Sequence, residues 1–409
     1  MNRRMFLKTS AASPLVGGVF LSQATRAAEQ PEPFNEVIQR ARQAALDVLK
    51  PTPKQLEHGQ ELHAAAVVCE SYGFSPSSAV DGDAMRKAIE SATPPEELED
   101  LREEMNMTRC VTSAAERAEY QEAWRASGLT CIFQNAGEEN NAPLRVLKRL
   151  ARFTYVTDMM RDFVAKAATP DDIVAAKKAG KRCLYFSANA VPLTQDWSSA
   201  EGELRYIRIF FQLGIRMMHM TYNRRNLLGD GCAETANAGL SDFGRMAIAE
   251  MNRLGVIPDV AHAGWQTSLE TAQCSKRPAV ISHSACDGVN HHIRCKPDNV
   301  IRAIADSGGY IGICAVPSFL GGKGDIGALL DHLDYAVRRF GADHVAIGTD
   351  VGYSSRNSAA ERRKIPKTAR NRTRWEALWP PNSFPIPDGN PSLAWTNWPM
   401  FTVGMVQRG

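Results

Sequence analysis

Two histidines stand at the ends of consecutive apolar runs. "GVIPDVAHAGWQTS" delivers His262 just before Gly264, and "PAVISHSACDG" delivers His283 some twenty residues later. A third run, "HVAIGTD", ends in Asp350. Imidazole lone pairs are common ligands for zinc and other divalent ions. A nearby carboxylate can hold a water or take its proton. One histidine ending a buried strand reads as packed core. Two successive strands ending in His, with another ending in Asp, read as one shared site.

Positioning these groups requires a repeated element. Short apolar runs recur at "AAAVVCE", "LTCIFQNAG", "RCLYFSANA", "IRMMHMTYN", "VIPDVAH", "AVISHS", "YIGICAV" and "HVAIGTD". Between most of them lie stretches of helical periodicity, such as "LSDFGRMAIAEMNRLG" and "KPDNVIRAIADSGG". Strands alternating with helices predict an α/β fold, a (β/α)8 TIM-type barrel of the metal-dependent hydrolase kind. A doubly wound open sheet is the alternative, but no G-x-G-x-x-G stands at a strand-to-helix turn. In a barrel the functional side chains gather at strand ends, where His262, His283 and Asp350 fall. Residues 29–62 are expected to form a helical N-terminal segment, 63–356 the barrel and 357–409 an irregular C-terminal insertion of the same domain. "VQRG" gives Gly409 nothing to cap into, so the final helix is expected to be incomplete.

The first 28 residues stand apart. Adjacent Arg3 and Arg4, then "MFLK", a short apolar stretch and small residues around Ala24–Ala28, match a twin-arginine export signal. The stretch is too short and too rich in Gly, Ser and Ala for a stable membrane span. A periplasmic or secreted protein is the expectation. This segment holds four of the 48 basic residues and none of the 45 acidic ones, so the remainder is nearly neutral. Nothing points to a nucleic-acid partner. The nine cysteines include no C-x-x-C pair, which argues against a zinc-finger site. Met217, Met218 and Met220 read as barrel core, with His219 between them as a polar contact facing a helix.

Local context goes beyond strand ends. "GLSDFGRMAIAEMNRLGVIPDVAHAGW", "VISHSACDGVNHHIRCKPDN" and "LLDHLDYAVRRFGADHVAIGTDVG" together resemble the membrane (renal-type) dipeptidase family. The likeness is close over residues 180–353 and looser before them. It implies a barrel that hydrolyses dipeptides at a two-zinc centre. Carried over by motif, His262 and His283 would ligate metal and Asp350 would be the catalytic acid/base. Arg294 would hold the substrate carboxylate, a task suited to its planar fork.

The departures are as informative. The family's first strand ends in His-x-Asp, whereas this one ends "VVCESYGF". Its third strand supplies a bridging Glu where this chain has Ser187 or Ala188. Its fourth-strand substrate-contacting His becomes Tyr222. Two histidines alone are too few for a tight zinc site, so Glu70 is a candidate further ligand. Glu138, Glu139, His58, His63, His291 and His292 are weaker ones and read as loop or surface groups. The expectation is a metal-dependent hydrolase with one zinc rather than two, acting on dipeptides or related small amides. A homodimer is left open. The alternative is a barrel that binds carboxylates and has lost its metals.

Overall fold

All eight apolar runs become strands, and a ninth joins them. The strands of the computed structural model are β1 (Cys69–Gly73), β2 (Cys131–Asn135), β3 (Val164–Ala167), β4 (Arg182–Ala188), β5 (Met217–His219), β6 (Ile257–Asp259), β7 (Ile281–Ser284), β8 (Ile311–Ile313) and β9 (Val345–Ile347). The structure describes residues 33–137, 139, 141–367, 377–380 and 389–409; the export-signal reading, Glu138 and part of the basic stretch lie outside these.

Every strand pair is parallel, in the order β1-β2-β4-β5-β6 and then β7-β8-β9. The two sheets join where Val280 N donates to the Pro258 carbonyl (3.0 Å) and Val260 N to that of Val280 (2.9 Å). The extra strand, β3, pairs with the first half of β4, and β5 takes the second half of the same edge. Its sequence, "VAKA", is too mixed to stand out by pattern.

The last seam, from β9 back to β1, is held differently. Backbone bonds cross it beyond the strands, from Asp350 N to the Tyr72 carbonyl (3.3 Å), Ser77 N to that of Tyr353 (2.8 Å) and Ser355 N to that of Ser77 (2.9 Å). Beside it, the fully buried Glu70 side chain accepts from Thr349 N (3.2 Å) and from the Thr349 hydroxyl. Its other oxygen accepts from Trp395 Nε1 at 2.8 Å. A Cβ on Gly73 would run into this carboxylate, so β1 needs a glycine there. Glu70 is therefore a structural staple. As a metal ligand the assignment is corrected: both of its oxygens are already committed to the seam and to Trp395.

Helices pack around the strands with ordinary end chemistry. The helix Asp242–Leu254, which feeds the strand before His262, is capped by Ser241 and closed by Gly255 at φ 84°. Met218 and Met220 lie in the main core and Met217 packs with Tyr72 and Val280, as expected of barrel residues. At the N-terminal side, helices Glu36–Leu49 and Pro53–Ala65 pack against the C-terminal helix Trp398–Arg408. His63 belongs to that packing, bonding Thr402 Oγ1 (2.8 Å) and the Ser127 carbonyl (2.9 Å). The final helix is an integral layer of the fold, with Phe401 and Val403 fully buried. Among the described residues no helix is long and apolar enough to cross a membrane.

The staple yields a prediction. Trp395→Phe leaves one buried Glu70 oxygen without its donor, which should cost about 1–3 kcal/mol of unfolding free energy. Urea denaturation measures it, and metal content should stay at the wild-type level. Loss of metal with unchanged stability would return Glu70 to the ligand list.

Candidate active site

His262, three residues past the end of β6, and His283, within β7, turn their imidazoles toward each other. Their Nε2 atoms are 2.9 Å apart, and both side chains are buried. Each ring is held from its far side. His262 Nδ1 meets Asn223 Oδ1 at 2.7 Å, so the ring donates there and its unprotonated Nε2 faces His283 and Arg294. His283 Nδ1 meets Ser282 Oγ at 2.8 Å. Tyr222 stacks on His262 with centroids 4.0 Å apart, and Tyr72 on His283 at 3.9 Å. Burial, reinforced by the Arg294 charge, pushes both imidazoles well below their usual pKa. They are neutral and present lone pairs.

Asp350 reaches the same lumen from beyond β9. Its backbone is left-handed, φ 58°, an uncommon conformation for a residue other than glycine and one often retained at functional sites. Burial raises its carboxyl to about 6, with Arg294 and His219 pulling back. The rise makes Asp350 a proton acceptor poised near neutrality.

Arg294 is present but differently engaged than a substrate clamp. Its guanidinium is fully buried, with Nη1 on the Ala261 carbonyl and Nη2 at 3.2 Å from His262 Nε2 and 3.4 Å from the His283 carbonyl. Only Nε is without a partner. The structure thus ties Arg294 to the histidines, and a substrate carboxylate would have to compete for its donors.

The other histidine candidates stay apart, and Glu139 lies nearer. His58 is exposed. His291 is exposed and pairs with Asp287, and His292 packs beside Phe319 while accepting from Arg294 N. Glu139 is half-buried and close enough for its charge to act on Tyr72 and Tyr222.

The residue that the sequence reading misplaced is His219. It does not face a helix; it points into the barrel, fully buried, with its ring 5.4 Å from those of His262, His283 and Tyr72. It is in register with Asp259 on the next strand, and Nε2 lies 2.6 Å from Asp259 Oδ2. The period-2 alternation Met217–Met218–His219 carried the signal. Met218 joins the outer core, so the residues either side of it point inward.

The donor set decides which metal centre fits. Neither β1 nor β4 brings an imidazole or a carboxylate to the lumen. Ser71 bonds the Ser282 carbonyl, Tyr72 covers His283 and bonds Asn189, and Ser187 has a buried hydroxyl without a partner. A two-ion centre therefore does not fit these residues. The two neutral imidazoles could hold an ion only together with further donors.

The membrane dipeptidase family, peptidase family M19, matches residues 84–360, well over half of the chain. The dipeptidase tcpJ of Claviceps purpurea is 28% identical over 200 residues, covering 48% of this chain and 46% of that protein. The chain thus spans less than half the length of that curated relative. Among solved structures, an amidohydrolase from Pseudomonas aeruginosa superposes with TM-score 0.62 at 25% identity, over 86% of this chain and 92% of that one. A metallopeptidase from Rhodobacter sphaeroides, crystallised with a phosphinate mimic of the dipeptide L-Ala-D-Ala, gives TM-score 0.55 at 18% identity, over 74% and 90%. With the barrel, the paired strand-end histidines and a match of this extent, the chain belongs to the membrane dipeptidase family, peptidase family M19.

Proposed function

We propose that this protein is a metal-dependent hydrolase of dipeptides or related small amides, working with one ion, zinc, in place of the two expected in its family. The observation that carries this is the convergence of two neutral imidazoles, His262 and His283, in a lumen shared with Asp350, whose carboxyl titrates near neutrality. His262 and His283 would hold the ion, which supplies a Lewis acid and lowers the pKa of a bound water. The chain's own residues do the rest. Asn223 fixes the His262 tautomer, and Ser282 orients His283. Asp350 takes a proton at its carboxylate and returns it to the leaving amine, as general base and then acid. Tyr222 and Tyr72 form apolar walls that exclude water and hold the imidazole planes. The Arg3–Arg4 segment would send the protein to the periplasm by the twin-arginine route, with a homodimer as the assembly to be measured there.

Three expected outcomes follow. Chelation should abolish dipeptide hydrolysis, and zinc should restore it. Absence of both metal and turnover would leave a carboxylate-binding barrel instead. His262→Ala and His283→Ala should each lower kcat/KM at least about a hundredfold, more than loss of an orienting partner usually costs, whereas His292→Ala should not.

Asp350→Asn should lower kcat by about 10²–10⁴-fold, the usual worth of a general acid–base group. In the wild type the carboxylate form is needed. kcat/KM should therefore fall as pH drops below about 6 and level off above it. A profile flat from pH 5 to 8 would remove Asp350 from that role.

A further inference from the structure

Two imidazoles are too few for a tight zinc site. Catalytic zinc ordinarily has three protein donors, and structural zinc four. β1 and β4 do not supply the missing ones. The lumen nevertheless holds a concentration of buried polar atoms with no hydrogen-bond partner among the described residues, and three of them are adjacent: both ring nitrogens of His219 and Oδ2 of Asp259.

Consecutive strands bring these groups together. His219 ends β5, Asp259 ends β6 in register with it, and His283 lies on β7. All three are fully buried, and their donor atoms lie within 4.8 Å of one another. Among the described residues this is the one such grouping of His, Cys, Asp or Glu. His219 Nε2 and Asp259 Oδ2 lie 2.6 Å apart, in ion-pair contact.

Asp259 is also prepared for the task. Its Oδ1 accepts from Ala261 N (3.0 Å) and Ser282 N (3.1 Å), which fixes the carboxylate and leaves Oδ2 toward the lumen. Such orientation of a ligating carboxylate by backbone donors is a regular feature of metal sites.

We infer that His219 and Asp259 join His283 as metal ligands, so that the ion is held from β5, β6 and β7 instead of from β1 and β4, with His262 beside that grouping rather than in it. The inference rests on the single-ion reading above and names the donors that it lacks. Imidazoles with one carboxylate form a set suited to zinc.

The test uses the full-length protein stripped by chelation and titrated with zinc alone, with bound metal counted by elemental analysis. Wild type should bind one zinc per chain. His219→Ala and Asp259→Asn should each weaken binding by more than about a hundredfold, beyond what loss of an orienting partner costs. Asp259→Asn keeps an oxygen for Ala261 N and Ser282 N, which guards against misfolding. As a second readout, zinc should raise the Tm of the wild type and not of either variant, by ligand linkage to the folded state. Variants that bind zinc as tightly as the wild type would overturn the inference and leave the hydrolase reading standing. A wild type that binds no zinc would overturn both.

Discussion

The barrel depends on how its last seam is closed. Seven neighbouring strand pairs zip together by parallel backbone bonding, but β9 meets β1 only through backbone bonds beyond the strands and the Glu70 carboxyl. A carboxyl with no exposure to solvent carries a large desolvation penalty unless its oxygens are satisfied. Here two Thr349 donors and the Trp395 indole do so, and burial still raises its pKa to about 8. One side chain thereby ties the first strand, the last strand and the C-terminal layer into one unit.

That closure fixes where Asp350 can be. Thr349 is held by Glu70 and Asp350 N by the Tyr72 carbonyl, so the residue between seam and lumen has little choice of backbone. Its left-handed φ is a cost of the order of 1 kcal/mol or more that the surrounding bonds sustain. The same Tyr72 that bonds across the seam lays its ring on His283. Seam, carboxyl and imidazole are mechanically one piece.

The eight barrel strands were legible because each is a short apolar run bounded by helical periodicity, and their count gives the closed architecture. His262, His283 and Asp350 were legible because a barrel exposes strand ends to one shared face. β3 was hidden by the lysine that interrupts its apolar run. Glu70 was misread because a carboxylate at a strand end looks like a ligand; which way it turns depends on the kink at Gly73 and on Trp395, more than three hundred residues away. His219 was misread for a subtler reason. Its strand is only three residues long, so alternation had too few positions to show that Met217 and His219 share the inner face.

Charge explains why the acid at position 259 matters as much as any histidine. Arg294 is a permanent cation, fully buried, 3.2 Å from His262 Nε2. A divalent ion placed near it in a low-dielectric lumen would be repelled strongly unless anions stood by. Neutral imidazoles cannot provide that compensation, and Glu70 faces elsewhere. Asp259, fixed by backbone donors, and Asp350, titrating near neutrality, are carboxylates close to Arg294, and Glu139 is near enough to act on Tyr222. With the β1 and β4 ligands gone, the balance of charge shifts to β6 and to the residue beyond β9. A carboxylate beneath the histidines is then an electrostatic requirement for holding any cation beside this arginine.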